Sequence, residues 1–574
     1  MPAAHELLKD TTFGYLLRAA FGSKILPHSD EQHFPAAFAF AQEKQPLSAV
    51  SSRKAELDAE RHDIEETQRR ATLQRHDTSP GGFSRTSTLV DIASYALDKS
   101  EKADKLLVGW YGPDDPDNPQ NWSSAKKGWV LFQTCFLTFS IYIGSSIYTA
   151  GLTDVEETFH VSTVAATLGL TMFVAGYGVG PMIWAPLSEI PQIGRLPVYM
   201  FTLFIFVLFL IPTALASNFG MLLAFRFLTG FFGSPALANG GATISDMFHP
   251  KHRAYAITLW GLFATLGPVL GPLAGGFAAH AKGWTWTIWE LMWLSGAALV
   301  LLFFFFPETS PDNILYRRAQ RLRKATGDKN LRAQSEIDAA QTSARQRLVE
   351  ALIIPITLNF YEPIVLVLNI YIGLIYALLY IWFESFPIVF GGIYGFPDQL
   401  LGLSYIGILV GSLSITPFFF AYLKYYQEPR YSASGELRPE ERMPVAIFAA
   451  PIVAISLFWF GWSARENVHW IVPIIGSSLF GMSVLLLFNV VLNYLADAYP
   501  LYAASVLAGN DLVRSAFGAA FPLFARAMYV KLGVGWASTL LGLLACAFVP
   551  IPILLYRYGE RIRRSSKRAR HEFN

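Results

Sequence analysis

Runs of roughly 20 residues that are strongly apolar and almost free of charge recur along this chain; Val198–Ala216 and Ser295–Phe306 lie in two of the cleanest. A run of that length crosses a bilayer as a helix. In lipid every backbone polar group must be satisfied within the structure, so only helices and closed barrels span membranes. Barrel strands need only about 10 residues and alternate in polarity. These runs do neither, so the sequence predicts an all-α membrane protein. Composition agrees, with 53% hydrophobic and 15% charged residues. The net charge of +2 decides little, because the placement of charge matters more than its sum. Cys135 and Cys546 both lie in apolar runs and give neither a disulfide framework nor metal-ligand spacing. No metal or cofactor is expected, and no cleavable leader, since the opening hundred residues are polar.

The runs divide the chain. Residues 1–125 read as a cytoplasmic arm, largely flexible, of which Ser51–Gly82 is the most polar part. Within it LLKDTTFGYLLRAAFGSKIL has the pattern of a short amphipathic helix on a membrane surface. The stretch WYGPDDPDNPQNWSSAKK resists helix and reads as an extended lead-in. Six spans fall in 126–306, a cytoplasmic linker in 307–358, six more spans in 359–556, and a basic cytoplasmic tail in 557–574. Lys and Arg collect in one set of loops, at Arg195, Lys251, Arg253, 317–347, Lys424, Arg430, Arg438, Arg442 and the tail. The opposite set carries Asp154, Glu156, Glu157 and Asp398, with few bases. The positive-inside rule then puts both termini in the cytoplasm. The one Asn-x-Ser/Thr sequon, at Asn121, is expected to carry no glycan. The fourth span ends SDMFHPKHRAYA and the tenth ADAYPLYAAS, which suggests a six-plus-six repeat with Asp246 and Asp497 as equivalents.

The fifth span contains LWGLFATLGPVLGPLAGGF, with Gly261, Gly267, Gly271, Gly275, Gly276, Pro268 and Pro272. Glycine and proline are poor helix formers in water. In lipid, small residues let backbones approach closely. Gly267, Gly271 and Gly275 share one face, and the prolines beside them bend the helix. The pattern predicts a smooth groove against which another helix slides or seals.

TLGPVLGPLAGGF resembles the fifth-helix antiporter motif of the major facilitator superfamily. LLAFRFLTGFFGSPAL, with Arg226 and Gly230, resembles its fourth-helix motif, and WAPLSEIPQIGRLPVY its gate motif between helices two and three. DPDNPQNWS resembles the lead-in of fungal drug:proton antiporters. The likeness runs over about residues 106–560 and is closest to the benomyl/methotrexate-resistance type of multidrug exporter. It implies the major facilitator fold, twelve transmembrane helices in two six-helix halves. The family's gate is an acid followed by Arg-x-Gly-Arg. Here Glu189 is the acid, the first arginine is absent, about two residues are inserted, and Gly194-Arg195 follows. The resemblance implies that Glu189 sits at the start of helix eleven and that Arg195 pairs with Asp246, holding the cytoplasmic side shut while the outside is open. It ties Arg226 to proton coupling; from the residues alone Arg226 is either a cation facing the cavity or a structural hydrogen-bond hub tying helices together.

Ionisable groups inside a span usually mark a pathway. Asp511 and Arg514, three apart on the eleventh span, share a face; they are either a self-neutralised structural pair or a proton carrier with its switchable partner. Glu290 and Glu384 lie near the outer ends of the sixth and seventh spans, where they either attract cationic substrates or protons, which makes Glu384 a cavity candidate, or are solvated rim residues. Aromatics crowd the seventh and tenth, at Tyr371, Tyr376, Tyr380, Trp382, Phe383, Phe386, Phe480 and Phe488. With Gln133, Asn489 and Asn493 they suit an apolar cavity for bulky, poorly hydrated compounds. The expectation is a proton-coupled exporter in the plasma membrane, monomeric, with small hydrophobic or cationic substrates such as azole-type antifungals. An exporter of one endogenous metabolite or polyamine, and a non-transporting receptor of the same fold, stay open. No nucleophile elbow, metal cluster or phosphate loop points to an enzyme, and nothing points to nucleic acid.

Overall fold

A computed structural model describes residues 8–22, 25–28, 31, 107–341, 344–432, 437–566 and 568–570; the polar stretch Ser51–Gly82 lies outside them. The described residues fall into two compact units, one drawn from the ranges 1–26, 122–313 and 342–574, the other from 27–121 and 314–341.

The first unit is the membrane bundle. Its spans run Ser124–Phe159, Thr163–Glu189, Arg195–Ala214, Phe219–Met247, Pro250–Lys282 and Trp284–Phe305, then Pro363–Ile393, Gln399–Arg430, Pro439–Ser463 and Ile471–Ala498. A final stretch, Pro522–Ser565, is also long and apolar enough, giving eleven such helices among the described residues. The expected eleventh span begins with the helix Ala503–Ala520, which Asn510, Asp511 and Arg514 make too polar to count by apolarity. It continues from Pro522 to Gly533, where φ is +78°, and residues 534–565 form the twelfth passage. Glycine takes that left-handed backbone without the steric penalty other residues meet.

Local chemistry places the helix starts. Ser123, Ser162 and Asn218 cap the first, second and fourth spans by accepting from the backbone N–H three residues on. Proline occupies the first turn of the fifth and seventh spans, where its missing N–H costs nothing. Gly176 and Gly230 bring the second and fourth spans backbone to backbone, as small residues do in lipid. The halves meet along two seams, the second span against the eleventh and the fifth against the eighth and tenth.

The second unit, as described, comprises 27–28, 31, 107–121 and 314–341. Strand β1 (Leu107–Val108) pairs in parallel with β2 (Arg332–Ala333). Arg318 is fully buried, with Asp115 at 2.7 Å and Asp117 at 2.9 Å, and its guanidinium faces the Tyr111 ring at 4.3 Å. Burial opposes that charge, but the hydrogen-bonded Asp115 and neighbouring Asp117 outweigh it and hold Arg318 protonated more firmly than a free arginine. The lead-in is therefore a set of turns folded around an ion cluster, where the sequence had suggested an extended chain.

Candidate functional site

At the end of the bundle where the sixth span gives way to the linker, the third span starts at Arg195. Gly194 has φ +82°, and a Cβ there would strike Glu308 and Asn313. Glu308 accepts the backbone N–H groups of Arg195 (3.0 Å) and Leu196 (3.1 Å), as well as those of Thr309 and Ser310. A carboxylate at a helix N-terminus satisfies otherwise unpaired donors and complements the helix dipole. The Arg195 side chain reaches Asp246 at 3.1 Å, Ser188 at 3.0 Å and Glu189 at 3.8 Å. The second half repeats this arrangement. Arg442, just inside the ninth span, meets Asp497 of the tenth at 2.6 Å, and Glu440 holds Arg563 at 2.8 Å. Asp246 and Asp497 thus close the fourth and tenth spans in equivalent roles. Sequence reading missed Glu308, which it placed in the linker, and Arg442, which it counted only as a loop base.

Between these clusters runs a cavity of 430 Å³, from Glu189, Arg195, Asp246, Arg442 and Asp497 inward to Asp511 and Arg514. Glu189 lines it beside Arg195 and is paired there within its own half. Asn493 is on the wall. Asp511 and Arg514 are hydrogen-bonded to each other and buried, and Arg514 also donates to the Tyr142 hydroxyl at 3.2 Å. Asp511 keeps one carboxylate oxygen, Oδ2, without a partner among the described residues. A smaller apolar chamber, lined by Tyr142, Trp260, Pro268, Tyr376, Phe488 and Asn489 among others, shares Arg514 with the main cavity. The guanidinium stands 5.1 Å from the Tyr376 ring and 5.5 Å from that of Phe488. Cations are attracted to aromatic faces at such separations.

Beyond Tyr376 the cavity stops at a layer of hydroxyls. Tyr177 of the first half bonds Tyr376 at 2.5 Å and Tyr380 at 2.9 Å, and Tyr380 donates to Ser145 at 2.9 Å. Sequence reading had named Tyr376 and Tyr380 as cavity residues but not Tyr142, Tyr177 or Ser145. Further out, Gly402 of the eighth span lies directly on the backbone of Pro272 and Leu273. The fifth-span glycines find their neighbouring helix within their own half. A Cβ on Gly267 would lie 2.8 Å from Tyr142 Cβ, and Gly271 and Gly275 abut Ser146 and Ile147. Their face is sealed on the first span of the same half, and Gly276 is buried. Gly261 looks toward Leu485 of the tenth span, and Pro272, rather than the glycines, meets the eighth.

Several expected cavity residues lie elsewhere. Gln133 is buried and donates to the Phe305 carbonyl of the sixth span at 3.2 Å. Trp382, Phe386 and Phe480 pack together inside the second half, with Trp382 and Phe480 rings 4.4 Å apart. Phe383 and Glu384 are buried beyond the hydroxyl layer, and Glu290 is half-buried on the sixth span. Arg226 lines neither cavity. It donates to the Gly169 and Gly144 carbonyls, both at 2.9 Å, and lies between the Tyr148 and Phe173 rings, tying three spans together. A span that is apolar all round gives no periodicity from which to read the cavity face.

The geometry is that of a transport cavity between two helix bundles, and comparison with known proteins agrees. The family model described as Major Facilitator Superfamily matches residues 134–522. The chain is similar to Transporter mfs1 of Schizosaccharomyces pombe, 49% identical over 81% of this chain and 88% of that one. It is 44% identical to Fluconazole resistance protein 1 of Saccharomyces cerevisiae, over 81% and 85%. The Cycloheximide resistance protein of Candida maltosa is 35% identical over 98% and 99%. Among solved structures the fold is similar to the xylose transporter XylE from E. coli, with a TM-score of 0.51 at 14% identity, over 76% of this chain and 98% of that one. The chain belongs to the major facilitator superfamily: it is a multi-pass membrane transporter and not an enzyme.

Proposed function

We propose that this chain is a proton-coupled multidrug exporter. It takes hydrophobic or cationic toxic compounds, azoles among them, from the cytoplasm or inner leaflet and releases them outside. The relatives named for fluconazole and cycloheximide resistance support that substrate class. So does the apolar, aromatic inner chamber. The carboxylates Glu189, Asp246, Asp497 and Asp511 on the cavity wall each have an arginine beside them, which leaves no unpaired array for a polyamine among the described residues. The basic loops support a cytoplasmic placement of the linker end and both termini. The plasma membrane and a monomeric state complete the reading.

The observation that carries the mechanism is Asp511, with one oxygen unpartnered among the described residues at the inner end of the cavity and the other held by Arg514. As a carboxylate it keeps Arg514 neutralised and accepts a cationic or hydrogen-bonding compound at its free oxygen. When a proton binds that oxygen, the compound loses its partner and Arg514 turns toward Tyr142 and Tyr376. Substrate and proton thus exclude each other, as antiport requires. The two halves rock about this point, with the Arg195–Asp246 and Arg442–Asp497 pairs keeping each half rigid at the linker end. One proton charge moved through 100 mV supplies about 2.3 kcal/mol, near a fifty-fold gradient.

Expression in a pump-deficient host, scored against azoles, cycloheximide, benomyl-like compounds and methotrexate, tests the substrate class. Everted vesicles test the coupling: the wild-type chain is expected to release protons on drug uptake and Asp511→Asn to release none. Equal proton release by both would remove Asp511 from the mechanism.

A further inference from the structure

The short helix Thr12–Phe21 belongs to the bundle's unit but spans nothing. Thr11 caps it by accepting the Gly14 N–H at 3.0 Å. It is fastened to the linker end of the sixth span. Phe13 lies 5.0 Å from the Phe304 ring and 6.2 Å from that of Phe303. Thr11 forms an antiparallel bridge with Pro307, and Glu308 donates its backbone N–H to the Asp10 carbonyl at 3.0 Å. The Glu308 carboxylate is the group that holds the start of the third span.

The side turned away from the protein is apolar throughout. Leu16, Ala19 and Ala20, at helical spacing, are exposed, and Phe21 follows them. Leu16 is 55% exposed, Phe21 68% and Ile25, just past the helix, 45%. No acidic residue lies within the helix, and its one base, Arg18, turns back to the Leu26 carbonyl. In water such a face would cost about 25 cal/mol for each Å² left uncovered. It is also continuous with a surface that lipid covers: the exposed Trp293, Val300 and Phe305 of the sixth span lead to the Phe303–Phe304 pair on which Phe13 rests.

We infer that the Leu16–Ala19–Ala20–Phe21 face, with Ile25, is an in-plane membrane anchor, seated among the lipids at the headgroup–acyl boundary of the leaflet on the linker end. Apolar insertion of one helix face at that depth is how interfacial helices bind bilayers. Lipid is the occupant that the continuous apolar surface and the lack of acidic side chains select. The anchor fixes the strand at Pro307–Glu308 from outside the bundle, beside the carboxylate that caps the third span.

The test uses the full chain with Cys135→Ala and Cys546→Ala, reconstituted in nanodiscs of phosphatidylcholine and phosphatidylserine. A small fluorophore is placed at Leu16→Cys, Phe21→Cys and, as a water-exposed reference, Lys329→Cys. A nitroxide high on the acyl chain is expected to quench positions 16 and 21 at least about twofold more than position 329, with aqueous iodide showing the reverse order. Iodide reaching 16 and 21 as freely as 329 overturns the anchor. Protection from both quenchers overturns it too, because the cover is then protein, from this chain or a second copy. A probe at Ala19→Cys gives the independent arm. Its lipid quenching is expected to fall at least about twofold when Leu16→Glu and Phe21→Glu are added and to persist with Leu16→Ile and Phe21→Leu. Loss in both backgrounds, or in neither, counts against lipid as the partner.

Discussion

At one end of the bundle the two halves touch backbone to backbone; at the other they stand apart, and ions fasten each half to itself. The sealed end is built from small residues and hydroxyls, with Gly402 on Pro272–Leu273 and Tyr177 joined to Tyr376 and Tyr380. The open end is built from arginine–carboxylate pairs, Arg195 with Asp246 and Arg442 with Asp497, each within one half. At its rim the halves still meet through Glu428, which accepts from Tyr255 at 2.6 Å and lies 3.6 Å from Lys251. The two constructions fail differently. A close-packed seal is short-ranged, since its contacts vanish within an ångström of separation. Ion pairs kept within one half survive when the halves part, so the end can open without leaving a buried charge alone, which is costly. A switch that seals one end by packing and stiffens the other by charge can exchange which end is open without breaking the Arg195–Asp246 or Arg442–Asp497 pair.

The largest expected effect lies between the two ends. Asp511→Asn leaves Arg514 buried without its counter-charge, and breaking one partner of such a pair costs about 3–5 kcal/mol. Export is expected to fall by roughly two orders of magnitude or more, with less protein in the membrane. Adding Arg514→Met removes the orphaned charge and should restore the amount of protein but not proton-linked export. If the double variant exports normally, the pair is structural and the comparison loses its pivot.

Next comes the sealed end. Gly402→Leu forces a side chain into the Pro272–Leu273 backbone, and overpacking of this kind costs about 1–3 kcal/mol. The cost falls on the sealed state alone, which shifts the balance toward opening at that end by roughly five- to 150-fold. Export should drop accordingly, and a cysteine at Tyr380 should become reactive to a thiol reagent added from that side. Gly271→Leu strikes Ser146 within the first half in both states, so it should lower the amount of folded protein without changing which end reacts. Identical behaviour of the two variants would show that the fifth span makes one seam and not two.

A smaller effect is expected from the ion pairs. Arg195→Asp and Asp246→Arg should each cost several-fold in export, and the double variant should recover part of the loss. Recovery will be incomplete, because Arg195 also donates to Ser188 and sits beside Glu189. The corresponding exchange of Arg442 and Asp497 should behave alike. Rescue in one half and none in the other would mean that the apparent repeat has diverged in function.

How far the sequence shows these two ends differs for physical reasons. The spans are legible because hydrocarbon thickness sets a length that only helices of about 20 apolar residues meet. Arg195 and Asp246 are legible because charge is scarce near a membrane. Arg442 is not, since PEERMP offers three adjacent charges and no glycine to mark the helix start. The sealed end is harder still. Among 25 tyrosines nothing in the sequence says that Tyr142 and Tyr177 point inward, and the Gly267–Gly275 stripe shows that some backbone comes close without saying whose.

The smallest expected effect is none at all, and it decides which way the comparison faces. In the second unit Asn121 donates its amide to the Pro113 carbonyl at 2.6 Å and the Asp115 carbonyl at 3.0 Å. Its sequon is expected to stay bare on the cytoplasmic side, so glycosidase treatment should leave mobility unchanged. Asn121→Gln should lose those two neutral hydrogen bonds, about 1 kcal/mol each at most, and keep export within about twofold. A glycosidase-sensitive shift that disappears in Asn121→Gln would place this segment outside the cell. With it would go the start of the first span, because only Trp122 and Ser123 separate Asn121 from the helix that begins at Ser124. The open cavity would then face outward, the sealed end inward, and the packing at Gly402 would guard the cytoplasm.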